Sequence, residues 1–154
     1  LEEVLTGEVA ETASALQPRA ADLLRQLGRE PHDDPTDGPC PREIAETVLR
    51  TLARAEVRAV RVRLLPEASV FGHRNSADGQ EILLGGFADA IALTSEGAVE
   101  LVIDWKSDVA PRESTTEAYR GQIREYLSLL DCAEGALIYV SHDEAPVSVA
   151  PAKE

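Results

Sequence analysis

Asp104, Trp105 and Lys106 set a carboxylate and an ammonium two residues apart at the end of the run Val99 to Lys106. That run reads as a strand, in which side chains alternate between faces. Glu100, Val102, Asp104 and Lys106 then share one face, and Val99, Leu101, Ile103 and Trp105 form a core face. Taken alone, the D-x-K pair is what an exposed ion pair on an edge strand would look like, worth about 0–1 kcal/mol. Asp89 argues for more. It lies inside the apolar run Ile82 to Leu93, flanked on its face by Phe87 and Ile91, where an ionised carboxylate needs compensation. Its partner is either a backbone amide or arginine, or a divalent cation shared with Asp104 on the adjacent hairpin strand. Two carboxylates completed by waters and phosphate oxygens suit Mg²⁺ or Mn²⁺. Such a cation polarises a scissile phosphate and acidifies water. Lys106 would orient that water or meet the extra negative charge of the transition state.

Lysine usage marks the same place. Thirteen of fifteen basic residues are Arg, and the only lysines are Lys106 and Lys153. A lone internal ammonium suggests a position where a compact charge must approach one oxygen and a planar fork would not serve. The net charge of −13 is spread over both halves, so the chain carries no basic arm for nucleic acid. Contact with DNA would then need bound cations, local arginines or a basic neighbour. Cys40 and Cys132 are too few for a disulfide scaffold and lack metal-ligand spacing, which fits a reducing, cytoplasmic setting with Cys132 as a buried thiol. No apolar run reaches the length of a membrane span. The chain has no Met and starts in mid-pattern at Leu1, so it is expected to be a piece of a longer polypeptide.

The elements around these residues follow from periodicity. Residues 1–28 read as a helix in two pieces, restarting at Pro18 and closed by Gly28. Residues 29–41 form a polar loop in which His32, Asp33 and Asp34 read as solvated. Pro41 opens a helix with Ile44, Val48, Leu49 and Leu52 on one face. Val57 to Leu65 alternates like a strand, with 68–72 as its short partner. Asn75 to Gln80 is a turn, and Ile82 to Leu93 and Val99 to Lys106 form a hairpin. A helix over 115–131 has a Ser114/Glu117 capping box and a buried stripe of Tyr119, Ile123, Tyr126, Leu127 and Leu130. A strand, Ala136 to Val140, follows, and the tail after Pro146 shows little pattern. The expected organisation is one domain over 1–154, with a helical part (1–56), a core (57–141) and a tail (142–154).

The stretch GFADAIALTSEGAVELVIDWKSD followed by YRGQIREY resembles the PD-(D/E)XK nucleases of the RecB and AddA branch. Those show G-x-x-D, then D-x-K, then Q-x-x-x-Y on the next helix. Gly86 to Asp89, Asp104 to Lys106, and Gln122 with Tyr126 match in that order, over roughly residues 60–141. The resemblance implies catalytic roles for Asp89, Asp104, Lys106, Gln122 and Tyr126, and a metal held by Asp89, Asp104 and the Trp105 carbonyl. It also implies a further His ligand on an early helix, which this chain lacks; LEEVLTGE looks like the segment that follows it. Glu2, Glu3, His73 and Glu67 are weaker substitutes. Arg112, Arg120 and Arg124 are either phosphate contacts or solvated.

The expected fold is therefore α/β, with a mixed, mostly antiparallel sheet of four or five strands flanked by helices. The resemblance implies a restriction-endonuclease-like core. The expected function is Mg²⁺-dependent, exonuclease-like hydrolysis of DNA in repair or recombination, as the nuclease module of a helicase–nuclease. Its DNA would be delivered single-stranded by a helicase domain of the same chain or a partner subunit, with no membrane involved. Two alternatives stand beside it: an inactive nuclease-like module that docks on a helicase or DNA, and a small-molecule phosphohydrolase of another fold.

Overall fold

The computed structural model describes residues 1–75 and 78–152. Two compact units divide at Arg61 and Val62. Among the described residues no helix is long and apolar enough to cross a membrane.

The first unit is helical: α1 (Glu2–Leu5), α2 (Ala13–Gln26), α3 (Pro41–Ala53) and α4 (Ala55–Val60). The break falls at residues 6–12, not at Pro18, which lies inside α2. Thr12 explains why: its side chain accepts the Ala15 N–H at 3.3 Å and caps α2 there. At the other end Gly28 adopts φ +70, with Gly28 N–H on Arg25 O and Arg29 N–H on Leu24 O, a Schellman closure. Pro41 opens α3 as expected. Of the expected inner face of α3, Leu52 is fully buried and Val48 and Leu49 half-buried, while Ile44 is exposed and Ala45 and Thr51 are buried beside them. The expected strand from Val57 is instead α4 followed by a 3₁₀ turn, Arg61–Arg63. Val57, Val60 and Leu64 also satisfy helical spacing, and Val62 is 94% exposed, which no core-facing strand residue would be.

The second unit is α/β: a five-stranded mixed, mostly antiparallel sheet with a long helix packed on it. Its elements are β1 (Leu64–Asn75), β2 (Glu81–Leu93), β3 (Val99–Lys106), α5 (Glu113–Leu130), β4 (Gly135–Tyr139) and β5 (Val147–Val149), with strand order β1-β2-β3-β4-β5. Only β3 and β4 run parallel, joined through α5. Residues 68–72 belong to β1 and pair with β2, not with the segment before them. The tail supplies β5, an antiparallel partner of β4. Of the expected turn at 75–80, Ser76 and Ala77 lie outside the described residues, as does Lys153.

Helix α5 begins at Glu113, with Arg112 as its N-cap and no side-chain cap bond, so the expected capping box is not formed. Glu117 accepts instead from Arg120 and Arg124 within the helix. Its Ile123 and Leu127 are buried with Val102, Ile91, Leu137, Tyr139 and Val70 in one cluster. Val102 neighbours Asp104 on its face, so the face that carries the acids is itself a core face. Ile103, Ala90 and Ile138 on the other side are buried as well.

The long β1–β2 hairpin changes face once. A Cβ on Gly86 would meet Tyr126 of α5, yet Ile91, five residues on, pairs with Val102 on that same α5 side. Strict alternation would have put these two on opposite faces. At the level of this break β1 holds Glu67 at φ +48, a left-handed conformation uncommon for a side chain of this size. Beyond the break Phe71 (72% exposed), Leu83 and Phe87 (64%) stand out on the opposite face. Phe87 is thus not a buried neighbour of Asp89.

Candidate active site

The β2–β3 ladder runs through Ile91↔Val102 and Ala90↔Ile103 and there stops. Continued by one step it would set Asp89 opposite Asp104. The strands part at this point, and the Asp89 carboxylate takes over: its Oδ2 accepts the Trp105 N–H at 2.7 Å. Asp89 therefore has a backbone-amide partner, one of the two kinds expected. Trp105 meets Asp89 through its amide nitrogen.

Asp104 is 3% exposed. Lys106 Nζ donates to its Oδ1 at 2.9 Å and lies 2.8 Å from Oδ2. Only the contact to Oδ1 is aligned as a hydrogen bond, and the buried Oδ2 shares the same ammonium through charge. Burial raises the Asp104 pKa; the Lys106 ammonium opposes that rise, and the adjoining Asp89 carboxyl adds to it through its charge and a hydrogen bond. The two acids thus sit within mutual reach, with an amine alongside. In the parallel register Asp104 neighbours Leu137 and Lys106 neighbours Tyr139, whose hydroxyl is 2.9 Å from the Thr116 hydroxyl at the start of α5.

The raised Asp104 pKa has a definite sign in stability. The native chain holds this proton more tightly than the unfolded chain, so the metal-free protein gains stability from Asp104 as pH falls from the raised value towards the ordinary carboxyl range near ~4. Asp104→Asn should match wild type in acid and exceed it increasingly as pH rises through that window. Urea unfolding of both proteins in chelator across the acid range reads the difference; a gap constant with pH, or of opposite sign, would contradict the assignment.

Gln122 and Tyr126 share one face of α5, one turn apart. Gln122 Nε2 donates to Tyr126 Oη at 3.3 Å, and Tyr126 Oη donates to the Phe87 carbonyl at 3.1 Å. The same hydroxyl explains Gly86: a Cβ there would lie 2.8 Å from Oη. Glycine and tyrosine of the two sequence elements are thus one contact, which pins β2 two residues before Asp89. They hold the acid's strand.

Glu67 lies on β1 at the level of Asp89 but is exposed, and several other candidates are elsewhere or already engaged. His73 pairs in register with Leu83, six residues along β1 from the level of Asp89, roughly 20 Å. Glu3 is bound by Arg19. Arg120 and Arg124 are ion-paired on α5. In the loop 29–41, Asp34 caps Thr36. Cys132 is a buried free thiol. Helical spacing puts Tyr119 in the core stripe, but its ring centroid lies 4.6 Å from Lys106 Nζ and its hydroxyl donates to Asp108 Oδ2 at 3.1 Å. The 119/122/126 spacing on one helix face was the signal available for it.

Among the described residues no group of three or more His, Cys, Asp or Glu side chains gathers to hold an ion. The donors the chain offers are two adjoining carboxylates, one of them buried. That is a hard, oxygen-only, incomplete set, which fits a Mg²⁺ or Mn²⁺ ion that keeps waters and substrate oxygens in its other positions. It does not fit a closed structural zinc site.

No family model matches the chain, and no curated protein matches it. Solved structures similar to it include the crystal structure of SSO0001, at 17% identity and a TM-score of 0.48 over 73% of this chain. The chain spans 60% of the length of that protein.

Proposed function

We propose that this chain is a nuclease module with a restriction-endonuclease-like core, hydrolysing DNA phosphodiester bonds with a divalent cation held by Asp89 and Asp104. One observation carries the reading: at the parting of β2 and β3 two carboxyls adjoin, and both oxygens of the buried Asp104 share the single ammonium of Lys106. Two adjoining carboxylates beside one ammonium leave a net negative, partly desolvated group, which a divalent cation would compensate. When bound, a cation here supplies Lewis acidity towards the phosphate and lowers the pKa of water. Asp89 and Asp104 would hold it, together with the Trp105 carbonyl. Lys106, released in part from Asp104, would place its ammonium on a non-bridging phosphate oxygen or on the attacking water. Tyr126, steadied by Gln122, keeps β2 in place through the Phe87 carbonyl. The acidity of the chain favours work beside a basic neighbour, which the resemblance identifies as a helicase that supplies single-stranded DNA.

Metal binding is the direct test. Free Mn²⁺ at a hundred times its dissociation constant stabilises the native state by about 2.7 kcal/mol. In a domain of this size that corresponds to a rise in Tm of about 5–10 °C. Wild type should show the rise, and Asp89→Asn and Asp104→Asn should not. A wild-type protein whose Tm ignores Mn²⁺ and Mg²⁺ would leave the module as a non-cutting docking domain.

A further inference from the structure

Lys106 is held at two points. One is the Asp104 carboxylate. The other is the face of Tyr119, whose ring centroid lies 4.6 Å from Nζ. Tyr119 is in turn fixed at its far end: its hydroxyl donates to Asp108 Oδ2 at 3.1 Å, and the Asp108 carbonyl accepts from Ser141 Oγ at 2.5 Å. A line of contacts thus runs from the segment after β4, through the segment after β3, to α5, and ends on the ammonium. The Lys106 side chain is only 19% exposed, so water does little to hold its charge.

The two holders differ in what happens when the site is loaded. Asp104 cannot give its full charge to a lysine and a divalent cation together. Once it turns to the cation, Lys106 loses part of its counter-charge and meets a like charge close by. A flexible four-carbon stem would then carry the ammonium out to solvent. The Tyr119 ring is unaffected by that exchange. Its negative face attracts the ammonium, more strongly where water is scarce, and the hydroxyl's bond to a carboxylate enriches the ring. We propose that Tyr119 is the positioning residue for Lys106, keeping the ammonium in place while Asp104 serves the metal, with Asp108 fixing the ring. The catalytic part of this inference rests on the nuclease reading; the structural part does not.

Having two lysines makes the test clean. In the protein labelled with ¹³C-lysine the ε-methylene spectrum contains two signals, and Lys106→Arg identifies which is Lys106. A methylene stacked on an aromatic ring resonates upfield of a free lysine. The Lys106 signal should be displaced in wild type and in Tyr119→Phe, and should return to the free-lysine position in Tyr119→Leu. In cleavage assays Tyr119→Leu should lower kcat about 10–100-fold with KM little changed, the scale of losing an outer support of a metal site. Tyr119→Phe should recover most of it. A merely structural tyrosine would leave the lysine signal unmoved and would not separate kcat from KM. A Lys106 signal at the free-lysine position in wild type, or one indifferent to Tyr119→Leu, overturns the proposal whatever the activity. A displaced signal in a protein without metal-dependent cleavage keeps Tyr119 as the holder of Lys106 and removes the nuclease reading instead.

Discussion

Asp104→Asn and Lys106→Ala should each lower metal-dependent DNA cleavage on the order of a thousandfold, with thermal unfolding still cooperative in both. The two act for different reasons. Asparagine keeps the size of Asp104 and leaves Lys106 an acceptor in its amide oxygen, but it removes the charge that would hold a divalent cation. Alanine in place of Lys106 leaves both carboxylates intact and removes the cation that faces the reacting phosphate. Asp104→Asn should therefore lose Mn²⁺ binding, whereas Lys106→Ala should bind Mn²⁺ and fail to cut. That split separates the roles better than the loss of activity itself. Glu100→Gln is the control on the same strand: Glu100 is exposed and pairs with Arg63, so its loss should leave cleavage unchanged. Cleavage at the wild-type rate by both the Asp104→Asn and the Lys106→Ala variants would remove the nuclease assignment.

The largest expected effect on stability lies on the helix behind the site. Ile123 is fully buried, and with Leu127 it packs in the cluster that includes Val102, Leu137 and Val149. Gly135 of β4 is held to glycine by these side chains, since a Cβ there would collide with Ile123. Ile123→Ala should cost about 2–5 kcal/mol, a large share of what a domain of this size has to lose. Denaturant melts read that cost. The same helix presents Tyr119, Gln122 and Tyr126 to the site, so activity should decline with the melt at temperatures where wild type is fully active. A loss well under 1 kcal/mol would mean that α5 is not seated on the sheet as described.

Asp104 illustrates why the site and the core cannot be treated separately. Alternation puts Asp104 on the face opposite Val99, Leu101, Ile103 and Trp105, yet Val102 beside it is fully buried beneath α5. Burial is what raises the acid's pKa, against the opposing Lys106 ammonium. The helix that stabilises the unit is thus also what makes the carboxylate a demanding partner for a cation.

Local pattern alone determined much of this protein: the helix opened by Pro41, the helix closed by Gly28, the strand Val99–Lys106 and the helix bearing Tyr126. Each of these depends on a residue's own backbone preference or on spacing within a few residues, which neighbours in sequence carry in full. Pattern also singled out Asp89, Asp104 and Lys106 as chemically unusual. Where two periods fitted equally well it failed, as with Val57 to Leu65, because Val57, Val60 and Leu64 satisfy a helix while Val60, Val62 and Leu64 satisfy a strand. Tertiary structure decided the rest. The parting of β2 from β3 after Ala90↔Ile103, the change of face at Glu67 and Asp89, the ring beneath Lys106 and the short strand Val147–Val149 all depend on chain segments far apart in sequence. No periodicity within one segment records where another will dock, and it is that docking which turns three spaced residues into a site.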